Sequence, residues 1–258
     1  MKKLIWKISI LFKAIKILKN WPVFVLIYFR IITKPDVFLK TRDGIILKIR
    51  NVPKSTDIHV FTQIWLENVY LKNFNINENA TVIDIGSHIG LFSIYVAQKL
   101  KNCKIFCFEP NLENYNVLME NIEINSIKNI STFNNAVSSK SGIIKFYNSQ
   151  KDFAANSMYE KVGEEIQVQS ITLENIIEKN KIKKCNLLKM DCEGAEYDIL
   201  MNIPEKILEK IDNITLETKG KGEFEYTSDD LILKLKSSGF LINTKKLEDD
   251  LFLYATRN

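Results

Sequence analysis

Thr81-Val82-Ile83-Asp84-Ile85-Gly86-Ser87-His88-Ile89-Gly90-Leu91 is the stretch that decides the fold. A β-branched apolar run closes on an acid, passes two spaced glycines and enters an apolar helical segment. That order reads as a buried strand, a tight turn and a helix start, where open α/β sheets receive nucleotide-like cofactors. Gly86 and Gly90 allow backbone conformations, or a close approach to a ligand, that a Cβ would obstruct. N–H groups at the helix start can receive a carboxylate or phosphate.

The spacing argues against a dinucleotide. A pyrophosphate needs G-x-G-x-x-G, whereas this turn is D-x-G-x-x-x-G, with His88 where a second close glycine would stand. Asp84 would repel a pyrophosphate but suits the ammonium of an amino-acid-like ligand. Further on, Lys104-Ile105-Phe106-Cys107-Phe108 ends in Glu109-Pro110-Asn111. That is close to the separation of about 20 residues at which such folds place a ribose-binding acid. Ribose and an aminoacyl group without pyrophosphate point to S-adenosylmethionine.

The 258 residues suit one α/β domain with an N-terminal extension. Residues 1–34 carry eight basic side chains (Lys2, Lys3, Lys7, Lys13, Lys16, Lys19, Arg30 and Lys34) and no acid, which against a net charge of +5 leaves residues 35–258 at −3. A basic surface for nucleic acid is therefore not implied. Cys103, Cys107, Cys185 and Cys192 form no C-x-x-C pair and read as reduced thiols of a cytoplasmic protein. In the extension, Leu4, Ile8, Leu11, Ile15 and Leu18 fall on one helical stripe. Lysines interrupt the apolar run, which argues against a transmembrane span, and no cleavage-site pattern marks a signal peptide. The preferred reading is a helix packed on the catalytic domain, covering the cofactor or lining a dimer. The competing one is a basic amphipathic helix lying on an anionic membrane surface, with Trp6 and Trp21 at the interface.

Along the rest of the chain, Phe38 to Ile49 with Arg42-Asp43-Gly44 predicts a hairpin. Asp57 to Asn73 predicts one helix, with Ile58, Phe61, Ile64, Trp65 and Val69 at helical spacing. Strands at 81–85, 104–108 and 130–134 alternate with helices at 89–101 and 111–125, which means a parallel sheet with right-handed crossovers. A helix-free insertion follows from Ala136 to Ser149, and the polar stretch Phe153 to Ser157 reads either as a cover for the acceptor or as a plain loop. A strand at Gln167–Ile171 and a short helix at Thr172–Lys179 precede a buried strand, Cys185 to Met190. A helix from 195 leads to a strand at Asn213–Glu217. Thr227 opens a further helix that Gly239 stops, and Phe240–Thr244 and Leu251–Ala255 form a last, antiparallel pair.

Three segments carry a family resemblance. Asp84-Ile85-Gly86-Ser87-His88-Ile89-Gly90, Phe108-Glu109-Pro110-Asn111 and Leu188-Lys189-Met190-Asp191-Cys192-Glu193-Gly194-Ala195-Glu196 together resemble the FkbM family of S-adenosylmethionine-dependent methyltransferases. The K-x-D-x-E-G-x-E block is the most specific part, and Ser87-His88 stands where the family usually has Ala-Asn. The resemblance implies a Rossmann-like class I α/β fold: a mostly parallel seven-stranded sheet with an antiparallel C-terminal strand. The helical extension would be residues 1–34 and the methyltransferase domain residues 35–258. By position, Asp84, Gly86, Ser87, His88 and Gly90 would meet the methionine part of the cofactor. Glu109 would hold the ribose, Pro110 and Asn111 would shape the adenine side, and Asn135 and Ala136 would lie near the ring. Tyr70 would approach the pocket. The acceptor would be a hydroxyl of a sugar, glycan, lipid head group or secondary metabolite.

A hydroxyl acceptor benefits from a base, and in an open sheet such groups sit at the carboxyl ends of strands. Asp191 is the first choice, Glu217 the second and Glu193 the third, while Glu196 reads as a first-turn acid favouring the helix dipole. Lys189 could pair with one of these acids and keep it ionised, or touch the acceptor. No metal site is assigned, although clustered carboxylates could hold Mg²⁺. His88 reads as a contact within the turn, His59 as a packed or exposed residue, and Phe61, Trp65, Tyr70 and Phe74 as core. Two other readings compete: a nucleotide-dependent oxidoreductase, and a non-catalytic membrane-associated module that binds S-adenosylmethionine. Oligomeric state is not legible in the sequence.

Overall fold

A computed structural model describes residues 2–32, 34–50, 55–148, 164–219, 226–247 and 250–257. At its centre is β3 (Thr81–Ile85), with β4 (Lys104–Phe108) and β5 (Ile130–Phe133) on one side, all parallel. On the other side lie β9 (Leu187–Met190) and β10 (Asn213–Lys219), also parallel, then β12 (Asp250–Thr256) and β11 (Leu241–Leu247). Only β12 runs against its neighbours in this seven-stranded sheet, as the expected antiparallel C-terminal strand does. The chain leaves β3 to one side through β4 and returns on the other at β9. The β3–β9 boundary is therefore the switch point at which open sheets form ligand crevices.

Alternation along β3 distributes the core. Val82 packs with α4 (Leu91–Lys99) and α5 (Leu112–Ile124). Ile83 and Ile85 face the other layer, made by α6 (Leu173–Lys179), α7 (Ala195–Asn202), α8 (Glu205–Leu208) and α9 (Ser228–Ser237). The insertion folds as a separate three-stranded sheet, β6 (Ala136–Val137), β8 (Glu164–Ile171) and β7 (Gly142–Asn148) in spatial order. Phe153 to Ser157 lies outside the described residues.

Before the sheet, β1 (Asp36–Lys40) and β2 (Ile46–Arg50) form the expected hairpin. The single helix expected over Asp57–Asn73 is corrected. α3 (Asp57–Phe61) passes into a π-helical turn (Thr62–Leu66), and the chain turns away at Asn68, whose φ is +52°. The Thr62 hydroxyl donates to the Ile58 carbonyl at 2.8 Å, and the Glu67 N–H reaches back five residues to Thr62 at 3.0 Å. This widened turn stops the helix early and delivers Tyr70 to the strand ends.

α1 (Lys2–Ile17) and α2 (Trp21–Tyr28) lie on the hairpin and the π-helical side. The face that α1 buries differs from the stripe read in the sequence. Ile10, Ala14 and Leu18 are at most 2% exposed, whereas Ile8 and Leu11 are 46% and 37% exposed. The hairpin fixes this rotation: Arg42 donates its Nε to the Ile15 carbonyl at 3.0 Å and its backbone N–H to Ile17 at 2.9 Å. Trp6 is held as well, donating its indole N–H to Glu67 at 2.7 Å. Trp21 packs against the core beside Phe24. No helix among the described residues is long and apolar enough to cross a membrane.

Candidate active site

The carboxyl ends of β3, β4, β9 and β10 surround a cavity of about 260 Å³, walled above by α3, the π-helical turn and Phe146 of β7. The glycine turn forms its floor. Gly86 has φ +74°, and a Cβ there would lie 1.8 Å from the backbone oxygen of Asp191. Its freedom is thus spent on close contact between two strand ends. Gly90, at φ +83°, caps α4 against Leu118 and does not line the cavity.

Within the turn itself the backbone N–H groups of Gly86, Ser87, His88 and Gly90 are already engaged. Gly86 and Ser87 donate to the Phe108 carbonyl at 3.0 and 3.1 Å, Gly90 donates to Ser87 at 2.8 Å, and His88 donates to a Glu109 carboxylate oxygen at 2.8 Å. Glu109 ends β4, lines the cavity and also accepts from the Asn111 N–H at 2.9 Å. Burial, resisted by these donors, lifts its carboxyl to about 7.

His88, at φ +51°, reaches a pair that the sequence reading missed. Arg50 at the end of β2 grips buried Asp57 through two contacts of 3.0 and 2.9 Å, and its Nη2 lies 2.9 Å from His88 Nε2. A guanidinium only donates, so Nε2 accepts and the ring hydrogen of the neutral imidazole sits on Nδ1. Burial, opposed by Asp57 and reinforced by Arg50, lowers His88 to about 4 and keeps it neutral at ordinary pH. Nδ1 is buried without a hydrogen-bond partner, in a residue that lines the cavity.

Asp84 and Lys189 are register partners on β3 and β9. The Lys189 ammonium lies 3.1 Å from Asp84, 3.8 Å from Asp191 and 2.7 Å from the Gly86 carbonyl. Burial favours its neutral form, but Asp84 and then Asp191 outweigh it and raise the pKa above the usual lysine value. Asp84 itself is fully buried, accepts from Ser93 at 2.7 Å and does not line the cavity. It anchors the lysine beneath the turn.

Asp191 follows β9 directly, whereas β10 runs two residues beyond Glu217, so the acid expected to close that strand sits within it, just past the last β9 pair, Leu216 with Met190; both acids line the cavity. The Tyr70 hydroxyl lies 2.9 Å from a carboxylate oxygen of each. Tyr70 is buried against Phe92 and Phe252, and burial together with the two acids holds its phenol well above the usual value. Glu193, at φ +52°, lines the cavity beside Gly194 at φ +105°. Glu196 closes that bend, accepting from the Cys192 and Gly194 N–H groups at 2.6 and 2.8 Å.

Of the residues named for the cofactor, Gly86, Ser87, His88, Glu109, Pro110 and Ala136 line the cavity, while Asp84, Gly90, Asn111 and Asn135 do not. Asn111 caps α5 by accepting from the Asn114 N–H, and Asn135 donates to the Gln169 carbonyl at 3.3 Å. His59, Val60 and Gln63 on the wall and Phe146 in the insertion were missed as lining residues. Among the described residues, no group of three or more His, Cys, Asp or Glu side chains could hold a metal ion.

A mostly parallel seven-stranded sheet with one reversed strand, folded around a glycine turn at its switch point, is the class I methyltransferase fold. Known proteins agree. Residues 84–242, more than half of the chain, match the Methyltransferase FkbM domain. Methyltransferase 1 of Beauveria bassiana is 26% identical over 191 residues, covering 66% of this chain and 75% of that protein. The hexuronic acid methyltransferase AglP of Haloferax volcanii is 30% identical over 125 residues, covering 48% of this chain and 49% of its own length. The crystal structure of methyltransferase FkbM from Methylobacillus flagellatus KT shares the fold at a TM-score of 0.50 and 14% identity, covering 70% of this chain and 44% of that one. The chain belongs to the FkbM family of S-adenosylmethionine-dependent methyltransferases.

Proposed function

We propose that this enzyme transfers a methyl group from S-adenosylmethionine to a hydroxyl of a sugar, glycan or similarly hydroxylated metabolite. The observation that carries the reading is the pair of carboxylates, Asp191 just past β9 and Glu217 in β10, which line the cavity with the glycine turn and each lie 2.9 Å from the one Tyr70 hydroxyl behind them. The hexuronic acid relative adds support for a sugar acceptor.

The residues present fit the cofactor. His88 Nδ1, a buried donor without a partner, is suited to an acceptor group such as a carboxylate. Glu109 is suited to a ribose diol, and Gly86, Ser87, Pro110 and Ala136 to the remaining contacts. When bound, the cofactor supplies a methyl group on a positively charged sulfur. The protein's part is to align an acceptor hydroxyl and to take its proton. Asp191, which lines the cavity, would receive that proton from the acceptor hydroxyl. Tyr70 has one hydrogen and two acid neighbours. Once Asp191 is protonated it can donate to the phenol oxygen while the phenol donates to Glu217, which spreads the charge change over both acids.

Calorimetry with S-adenosylmethionine, followed by labelled-methyl transfer to hydroxylated sugars and uronic acids, tests this reading. One-site binding and label on an ether oxygen are expected. Folded protein that takes up no cofactor sinks the reading, and label on nitrogen replaces the hydroxyl by an amine.

Glu109 adds a pH signature. Its carboxylate must be ionised to accept two ribose hydroxyls, and burial lifts its carboxyl to about 7. Affinity for S-adenosylmethionine is therefore expected to rise with pH up to that value and to level off above it, by about tenfold per unit on the acid side. Glu109→Gln should weaken binding and flatten the profile. An unchanged slope in that variant would remove Glu109 from cofactor binding.

A further inference from the structure

α1 has two apolar faces, and the domain uses only one of them. Ile10, Ala14 and Leu18 are buried, while Ile5, Ile8, Leu11 and Phe12 are 60%, 46%, 37% and 62% exposed. At 100° per residue, the exposed four span an arc of about 120° that begins beside the packed face and is centred about 120° round the helix from it. Exposed Lys7 and Lys16 flank this arc on its two sides. The Lys7 ammonium lies 5.9 Å from the Phe29 ring, which brings a further residue, 56% exposed, alongside α1. Such an exposed apolar stripe on a monomer marks an interaction surface.

Charge chooses the occupant. The first 34 residues carry eight basic side chains and no acid. A second copy docked face to face would bring two such segments together and repel. An anionic lipid surface meets the same pattern with opposite charge, taking the apolar arc between its acyl chains and the lysines at its phosphates. We propose that α1, while packed on the domain through Ile10, Ala14 and Leu18, docks the enzyme on an anionic membrane surface through Ile5, Ile8, Leu11 and Phe12. The packed helix and the membrane-surface helix, which compete in the sequence, are two faces of one element. The inference rests on no step of the methyl-transfer reading.

The layer also reaches the cavity. α2 packs on α3, and the Tyr28 ring lies 5.9 Å from the ring of His59, which lines the cavity wall. α2 thus joins the docking helix to the wall of the cavity.

The test is co-sedimentation of the full chain with phosphatidylcholine vesicles, with and without phosphatidylglycerol. Binding to the anionic vesicles, weakened by added salt and much weaker on phosphatidylcholine alone, is expected. Ile8→Glu with Phe12→Glu should weaken partitioning by about a hundredfold or more, and Lys7→Ala with Lys16→Ala by about thirtyfold. These side chains are exposed, so thermal melting should be unchanged, and S-adenosylmethionine affinity should be retained. Absence of binding to anionic vesicles at low salt overturns the proposal, as does binding that survives the Ile8→Glu, Phe12→Glu exchange. A wild-type dimer that the same exchange converts to monomer, without vesicle binding, assigns the face to self-association and also overturns it.

Discussion

Asp191→Asn is expected to leave S-adenosylmethionine binding intact and to lower kcat by about 10²- to 10⁴-fold, the contribution of a positioned base. Asparagine keeps the size of the side chain and its contact with the Tyr70 hydroxyl but cannot accept a proton. The loss should therefore appear in kcat with cofactor affinity unchanged. Glu217→Gln should cost less, because Glu217 meets the reaction through Tyr70 in the proposed scheme. Tyr70→Phe should narrow the difference between the two acid variants, since it removes the oxygen that joins them. Calorimetry for binding and single-turnover label transfer for chemistry separate these effects. Turnover retained in Asp191→Asn would assign the base elsewhere, with Glu217 next to be examined.

Gly86→Ala is expected to be among the most damaging single-methyl changes in the chain. The added carbon would meet the Asp191 carbonyl oxygen at 1.8 Å, in a residue whose φ is +74°. Backbone cannot swing aside as a flexible side-chain tip can, so strain and overpacking act together. A cost above about 3 kcal/mol is reasonable for the combination. For a chain of this size that corresponds to a fall in Tm of roughly 6–12 °C. Gly44→Ala is the control: φ is +97°, but nothing lies within 4 Å of the new carbon. It should cost only the left-handed conformation, about 1–2 kcal/mol. Equal losses at the two sites would mean that strand packing at Gly86 is not the cause.

The central layout of this fold was legible because it rests on local pattern. A β-branched run, two glycines and an apolar helix specify strand, turn and helix from adjacent residues. Repetition of the unit then sets Asp191 just past β9 and Glu217 on the neighbouring β10, one residue beyond their last pair, although β10 continues past Glu217 to Lys219. What escaped the sequence depends on distant partners or on choices between equal patterns. His88 meets Arg50 from 38 residues away, and no local feature announces that a hairpin end will cover the turn. Asp84 could face an ammonium on a ligand or one on the protein, and Lys189, its neighbour across β3 and β9, takes that place. α1 offers two apolar faces, and ties to distant partners, Arg42 of the hairpin and Glu67 after the π-helical turn, select one. The π-helical turn keeps the apolar spacing of a helix while changing its path, so periodicity carried the expected helix too far. Asn111 had a readable signal: an asparagine before a helical run, which marks an N-cap.

The contact between Gly86 and Asp191 has a consequence for how this enzyme can change its trade. The proposed cofactor cradle and the acid beside it share one piece of backbone: Lys189 bonds the Gly86 carbonyl, and Asp191 donates its N–H to the Ile85 carbonyl at 3.1 Å. Neither can be resculpted alone. The opposite wall, formed by His59, Val60, Gln63 and Phe146, comes from a broken helix and an inserted sheet that hold none of the four strand ends in register. New acceptor preferences, whether drifted or engineered, would accumulate on that rim while the floor stays as it is.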